Sequence, residues 1–252
     1  FSFNMIAVNE VFKAFGQQKV LNGIDLEIPE NSITCIMGSS GTGKSVFLKL
    51  LIGLLKPDAG SIEIDGEEIV GMTEKQMDRV RMKFGMLFQD AALFDDMNVF
   101  ENVAFPLREH TDKSDDEIAT IVEKKLSEVG LKDVNNKMPN ELSGGMRKRV
   151  GLARALVLDP KIVLFDEPTT GLDPITTNQI GELILNTHQR YPVTFLIISH
   201  DLSLTYKVAD QVVMFDQGQV VEQGTTEEFK RSKQPFVRKF LDAQANMDKI
   251  PA

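Results

Sequence analysis

Eight consecutive residues, Gly38-Ser39-Ser40-Gly41-Thr42-Gly43-Lys44-Ser45, place two glycines around four residues and follow them with lysine and serine. This is the phosphate-loop pattern. The glycines let successive backbone N–H groups turn inward around an anion, and the helix that follows offers its positive end to it. In such a loop Lys44 reaches the β and γ phosphates of a nucleoside triphosphate and the Ser45 hydroxyl ligates magnesium. The bland alternative is a flexible glycine turn. The apolar run before the loop and the helical pattern after it weigh against that.

A second chemical segment is Ile162-Val163-Leu164-Phe165-Asp166-Glu167, an apolar strand pattern ending in two adjacent carboxylates. Beside a phosphate loop, Asp166 can hold magnesium through water while Glu167 faces the attacking water as general base, which makes the chemistry hydrolysis. Alone, the pair could simply cap the next turn. His200 ends another apolar run, Thr194 to Ile198. A lone histidine there can merely satisfy hydrogen bonds at a strand end. One strand beyond the acidic pair it can instead contact the γ phosphate, because parallel strands end on the ligand side of a sheet. Leu142-Ser143-Gly144-Gly145-Met146 precedes Arg147-Lys148-Arg149 and opens a helix with a second glycine pair. Ser143 reads either as a helix N-cap or as part of a second anion site. Two phosphate-binding helix ends in one chain need not serve the same nucleotide.

These groups need a scaffold of alternating strands and helices. Ile6 to Phe15 and Ile24 to Ile28 read as short strands, with Pro29-Glu30-Asn31 as a turn. Ile33 to Met37 has strand length, and Lys44 to Leu55 repeats apolar residues at helical spacing. Further strands are expected at Ser61 to Asp65, Phe84 to Phe88, Ile162 to Phe165 and Thr194 to Ile198, the last two as buried parallel strands. Ser114 and Glu117 form a capping box for a helix from about Asp115 that Gly130 stops. The fold class is therefore α/β, with a core formed by residues 1–89 and 160–230. Residues 90–159 form an inserted helical lobe, and a C-terminal helical tail spans 231–252. Asp216-Gln217-Gly218 predicts a hairpin turn.

With 252 residues, 42% of them hydrophobic and 26% charged, the chain has the composition of a globular protein with one sizeable core. Its net charge of -9 argues against a broad nucleic-acid footprint. Cys35 is the single cysteine, so no intramolecular disulfide is possible and it reads as a buried small hydrophobe. His110, His188 and His200 lack metal-ligand spacing. No apolar stretch reaches the roughly 20 residues of a membrane span, and no signal-like basic and apolar sequence begins the chain.

The ordered set of the phosphate loop, Gln89, Leu142 to Met146, Ile162 to Glu167, Gly171-Leu172-Asp173 and Ser199-His200 resembles an ABC-type ATPase over about residues 4 to 230. The resemblance implies a P-loop NTPase core with an antiparallel β-subdomain, ATP and Mg2+ as ligands, and a homodimer. In that dimer Ser143, Gly144 and Gly145 of one protomer complete the ATP site of the other. It also implies that Phe15 stacks on adenine, that Gln89 links magnesium to the helical lobe, and that Asp173 crosses the dimer interface. Phe15 as strand-end packing and Gln89 as a solvated turn residue remain alternatives. Val46, which joins the loop residues at the nucleotide, stands where threonine is usual. Met146 stands where glutamine is usual, and Phe15 replaces a commoner tyrosine.

The runs Ala92 to Val103, Pro106 to Thr111 and Gly171 to Thr176, with Met146, are similar to ATPases of the Mla type that serve MCE-protein lipid transporters. That narrower resemblance implies phospholipid transport in a bacterial envelope. It also implies an integral membrane permease and an MCE-type lipid-binding protein as partners, and a peripheral position at the cytoplasmic face of the inner membrane. A soluble single-cassette ATPase of cofactor assembly is the competing expectation. Leu93, Phe94, Met97 and Phe100 either pack the lobe's own core or form a groove for a permease helix.

Overall fold

The structure, a computed structural model, describes residues 4–247, with side chains described to residue 243. Residues 1–3 of the expected core and 248–252 of the expected tail lie outside the described residues. Two units divide the chain, Phe1–Met77 with Ile198–Ala252 and Asp78–Ile197.

The first unit begins with a long hairpin, β1 (Asn4–Phe15) against β2 (Gln18–Pro29). Ile6 and Val8 point inward at period two, and then Glu10 takes a φ of 46° at a bulge that resets the phase so that Val11 is buried as well. Both strands outrun their expected bounds, and Pro29 is the last residue of β2 instead of the start of a turn. The five residues of β3 (Ile33–Met37) are all buried, as suits a strand covered on both faces. The helix α1 (Lys44–Leu51) stops four residues short of the apolar pattern. Gly53 adopts a φ of 67° and the amides of Leu54 and Leu55 fold back onto the Lys49 carbonyl, which leaves Leu54 62% exposed. β4 (Ala59–Ile64) pairs with the other edge of β1, and β5 (Glu67–Glu68) extends that sheet.

The helix α2 (Glu74–Arg81) leads into the second unit. There β6 (Phe84–Leu87) runs parallel to β7 (Ile162–Asp166), and β8 (Thr194–Ile198) lies on the other side of β7. Between β6 and β7 come α3 (Val99–His110), α4 (Asp115–Glu128) and α5 (Gly144–Leu156), with α5 packed on both other helices and on β6. The Asn98 and Ser114 side chains each accept a hydrogen bond from the N3 amide of their helix, and the Glu101 and Glu117 carboxylates accept one from the Asn98 and Ser114 amides, so α3 and α4 both start in capping boxes. Lys125, buried on α4, donates to Asp159 at 2.7 Å and to Tyr191 at 3.3 Å, while Tyr191 donates to Glu128. α6 (Pro174–Arg190) follows β7; Asp173 caps it and proline occupies its first turn.

The chain re-enters the first unit through α7 (Leu202–Val208), β9 (Gln211–Asp216) and β10 (Gln219–Thr225). β9 runs parallel to β3 and antiparallel to β10, turning at Gln217 and Gly218 with left-handed φ values of 46° and 74°. The helices α8 (Thr226–Lys230) and α9 (Pro235–Met247) close the chain, and Phe229, Val237 and Leu241 pack on Met37, Val212 and Met214.

Candidate nucleotide-binding site

The phosphate loop leaves the buried end of β3 and enters α1. Gly38 has a φ of 147°, and a Cβ on it would lie 2.3 Å from the Phe215 carbonyl oxygen, so only glycine lets the loop start this close to β9. Gly43 caps α1 in a left-handed conformation, with the side chain of Leu21 where its Cβ would stand. Lys44 is buried, and its ammonium donates to the carbonyls of Gly38 at 2.7 Å and Ser39 at 2.8 Å. The Thr42 hydroxyl donates to the Ser39 carbonyl at 2.9 Å, which tightens the curl. The result is a tight backbone curl held closed by one lysine on two carbonyls, with Ser39, Ser40, Gly41 and Ser45 at the surface and Val46 half-buried. Beneath it Phe47 meets Phe215 edge to face, ring centroids 5.5 Å apart.

Two other expected residues belong to the same unit. The Ser199 amide donates to the Ile36 carbonyl at 3.2 Å, two residues before Gly38, and this sets exposed His200 next to the loop's origin. Phe15 ends β1, just before the turn of the hairpin whose Val20 and Leu21 press on Gly43; it is 48% exposed, with the Lys13 ammonium 5.5 Å from its ring centre. An exposed ring at that corner is available for stacking.

In the second unit the parallel register pairs Leu87 with Phe165, so Gln89 and the Asp166–Glu167 pair follow from adjacent strand ends. Glu167 has a φ of 50°, a left-handed conformation that turns its side chain away from the strand's own course, and its Oε2 accepts from the Thr170 hydroxyl at 3.3 Å. Gln89 is exposed, and its carbonyl accepts a hydrogen bond from Lys148. Among the described residues, no cluster of three His, Cys, Asp or Glu side chains could hold a metal ion.

Ser143 and Asp173 both have local work. The Ser143 hydroxyl accepts from the Met146 amide at 3.2 Å as the cap of α5, and Asp173 accepts from the amides of Ile175 and Thr176 at 2.9 and 3.0 Å. The Thr176 hydroxyl, first, and those amides hold the Asp173 carboxyl below its ordinary pKa. Both caps stand exposed at the surface. Cβ atoms on Gly144 and Gly145 would lie 3.2 Å from Leu172 and 2.8 Å from Thr176, so the glycine pair lets α5 begin against the segment that carries Asp173. Lys148 enters the sequence reading only as the middle of Arg147-Lys148-Arg149, with no role of its own, and Arg154 enters no motif. The signal that could have found Lys148 is its place on the apolar stripe of α5 with Gly151, Leu152 and Ala155.

Residues 21–170 match the family described as ABC transporter. The chain belongs to the ABC transporter family. This ABC transporter subunit is an ATP-binding and ATP-hydrolysing cassette with the P-loop NTPase fold. It is 47% identical over 239 residues to the probable ribonucleotide transport ATP-binding protein mkl of Mycobacterium tuberculosis, which covers 95% of this chain and 67% of that protein. It is 40% identical over 243 residues to the intermembrane phospholipid transport system ATP-binding protein MlaF of Escherichia coli, with 96% and 90% covered. The dimeric post-hydrolysis structure of the cassette MJ0796 bound to ADP and Pi superposes with a TM-score of 0.80 at 29% identity, covering 88% of this chain and 98% of that one. No helix among the described residues of the cassette is long and apolar enough to cross a membrane.

Gly38→Ala should lower the affinity for ATP by at least about tenfold, because the added methyl must displace either the Phe215 carbonyl or the loop. A fluorescent-nucleotide titration, with thermal melting as a fold control, measures it. Unchanged affinity would contradict the assignment of this curl to phosphate binding.

Proposed function

We propose that two copies of this cassette close head to tail around two ATP molecules and drive a membrane permease that moves phospholipid in a bacterial envelope. One chain carries two helix N-termini suited to anions, α1 behind the phosphate loop with Ser45 exposed and α5 behind exposed Ser143, and this carries the proposal. In the head-to-tail reading Gly38 to Val46 cradle the phosphates and Lys44 leaves its carbonyl partners for the β and γ oxygens. Phe15 stacks on adenine, while Ser143, Gly144 and Gly145 complete the partner's site and Asp173 crosses between protomers. The dimer bound to ADP and Pi that MJ0796 forms supports this arrangement.

Mg2+ suits the donors present. The Ser45 hydroxyl, the Asp166 carboxylate and the Gln89 side chain offer hard oxygens, too few for a protein-only site, as a cation completed by phosphate oxygens and water requires. The ion would neutralise charge on the β and γ phosphates. Glu167 takes the proton of the attacking water, and His200 orients that water and the γ phosphate. Residues 1–89 and 160–230 form the ATPase core in this reading, 90–159 the helical lobe and 231–252 a tail.

The phospholipid substrate rests on the likeness to MlaF, which extends over 90% of that protein. The likeness to mkl, whose description names ribonucleotide transport, favours a second substrate class. Under the phospholipid reading an MCE-type lipid-binding protein belongs to the same assembly, at the cytoplasmic face of the inner membrane. For the permease contact, the second unit has a groove of about 620 Å³ lined by Met82, Phe84, Phe94, Phe105 and Arg154 among others. Phe94 is 40% exposed on it, with its ring 5.0 Å from that of Phe105. Of the four expected anchors Phe94 alone lines this groove, while Leu93, Met97 and Phe100 are half-buried outside its lining, so the receiving-groove reading stands on Phe94.

Glu167→Gln should bind ATP, accumulate as a dimer on magnesium-ATP and lose at least about a hundredfold in turnover. Size-exclusion chromatography with and without nucleotide reads the first, phosphate release the second. Normal turnover would overturn the base assignment. Phe94→Asp should fold and bind ATP yet fail to co-purify with a membrane permease. A variant that still assembles and transports removes Phe94 from the interface. Phospholipid exchange between vesicles, with ribonucleotides as competitors, separates the two substrate classes.

A further inference from the structure

Beyond Gln89 and Asp90 the backbone bends through two consecutive left-handed residues that are not glycine, Ala91 at φ 61° and Ala92 at φ 45°. Such conformations persist only where surrounding contacts impose them. Here one face of α5 imposes them. Lys148 donates to the Gln89 carbonyl and Arg154 donates to the Ala91 carbonyl at 2.7 Å. Between these two cations Gly151 has no side chain to interfere: a Cβ there would lie 2.6 Å from Leu87 and 3.1 Å from the Ala91 methyl, so α5 lies directly on the bend. From α3 the fully buried Asn102 accepts from the Phe94 amide at 2.8 Å and donates to the carbonyls of Phe94, Met97 and Asn98. The segment from 89 to 98 is thus held from two helices.

Lys148 is the unusual member of this clamp. Only 4% of it is exposed, and its position on the apolar stripe of α5 would be filled more simply by leucine or methionine. Burial pushes its pKa down, while the charges of Asp90, Asp166 and Glu167 act to hold the proton on. Its ammonium sits on the backbone of Gln89, and the parallel register of β6 on β7 brings the Asp166–Glu167 pair out at the neighbouring strand end. The same helix starts behind Ser143, about one and a half turns earlier.

We propose that Lys148 is a positioning residue for ATP hydrolysis, tying the start of the serine-bearing helix, the Gln89 bend and the Asp166–Glu167 pair into one body. Through it, a ligand at Ser143 alters the placement of Gln89 and of the base Glu167 in the same chain. This rests on the roles given above to Gln89, Glu167 and Ser143.

Lys148→Gln keeps a donor but not the charge or the reach; Lys148→Arg keeps charge and donor. With the purified full chain, Lys148→Gln should lower kcat by about tenfold or more while KM for magnesium-ATP and nucleotide affinity stay within about twofold. Lys148→Arg should recover most of kcat. In nucleotide-free protein, amide hydrogen exchange of residues 89–98 should be faster in Lys148→Gln than in the wild type. A kcat within about twofold of wild type, unchanged exchange, or an arginine variant no better than glutamine each overturns the inference. So does a Lys148→Gln protein that melts early and loses affinity and kcat together, which marks a purely structural lysine. Glu167→Gln, assayed beside them, separates the two readings. If it turns over ATP normally, the site assignment falls and the positioning role with it. If it is inactive while Lys148→Gln is not, only the positioning role falls.

Discussion

A helix leaves its first four N–H groups without intrahelical acceptors, and an anion at that end satisfies them. Each of the two units of this cassette is organised around presenting one such end, α1 in the first and α5 in the second. β3 can be a five-residue strand with every side chain buried because what it carries is not its own surface but the loop at its end. That loop can approach β9 only because Gly38 has no side chain, and the pair Phe47 and Phe215 fixes the helix behind it. The same constraint recurs at α5, where Ser143 caps the helix and the glycine pair admits Leu172 and Thr176.

The chemistry is legible in the sequence wherever it depends on residue type at short spacing. The phosphate loop, the two carboxylates after an apolar run and the glycine pair after a capping serine are each read within a few residues. So are the capping box at Ser114 and the turn at Gln217 and Gly218. Element ends are less legible. The periodicity of α1 continues past Leu51, but a left-handed glycine and two amides folding onto Lys49 end the helix regardless, because periodicity records which face is apolar and not where the hydrogen bonds stop. Helices are expected between the strands, but no local signal bounds α2, and the start of α6 is spelled by Asp173 and Pro174 without being read as one.

What local patterns could not reveal are contacts between residues distant along the chain. Lys148 looks like one of three surface cations in Arg147-Lys148-Arg149, and only the packing of α5 on β6 puts it inside, on a carbonyl 59 residues away. Asn102 likewise reads as an ordinary helix polar residue, yet it ties down the segment that begins the helical lobe. Both buried groups act on the stretch after Gln89, the part of the chain that in the proposed function must answer to nucleotide and permease together. A buried amine or amide is retained there only if its partners are met, and each of these is.

In the proposed dimer the serine-bearing helix of one protomer serves the nucleotide of the other. Mixing Lys44→Ala chains with Ser143→Arg chains tests it most directly. In the heterodimer, head-to-tail geometry unites the intact loop of the Ser143→Arg chain with the intact Ser143 of its partner. One ATP should be occluded per heterodimer and none in either homodimer. A heterodimer that occludes no ATP, although each variant is folded, would contradict it.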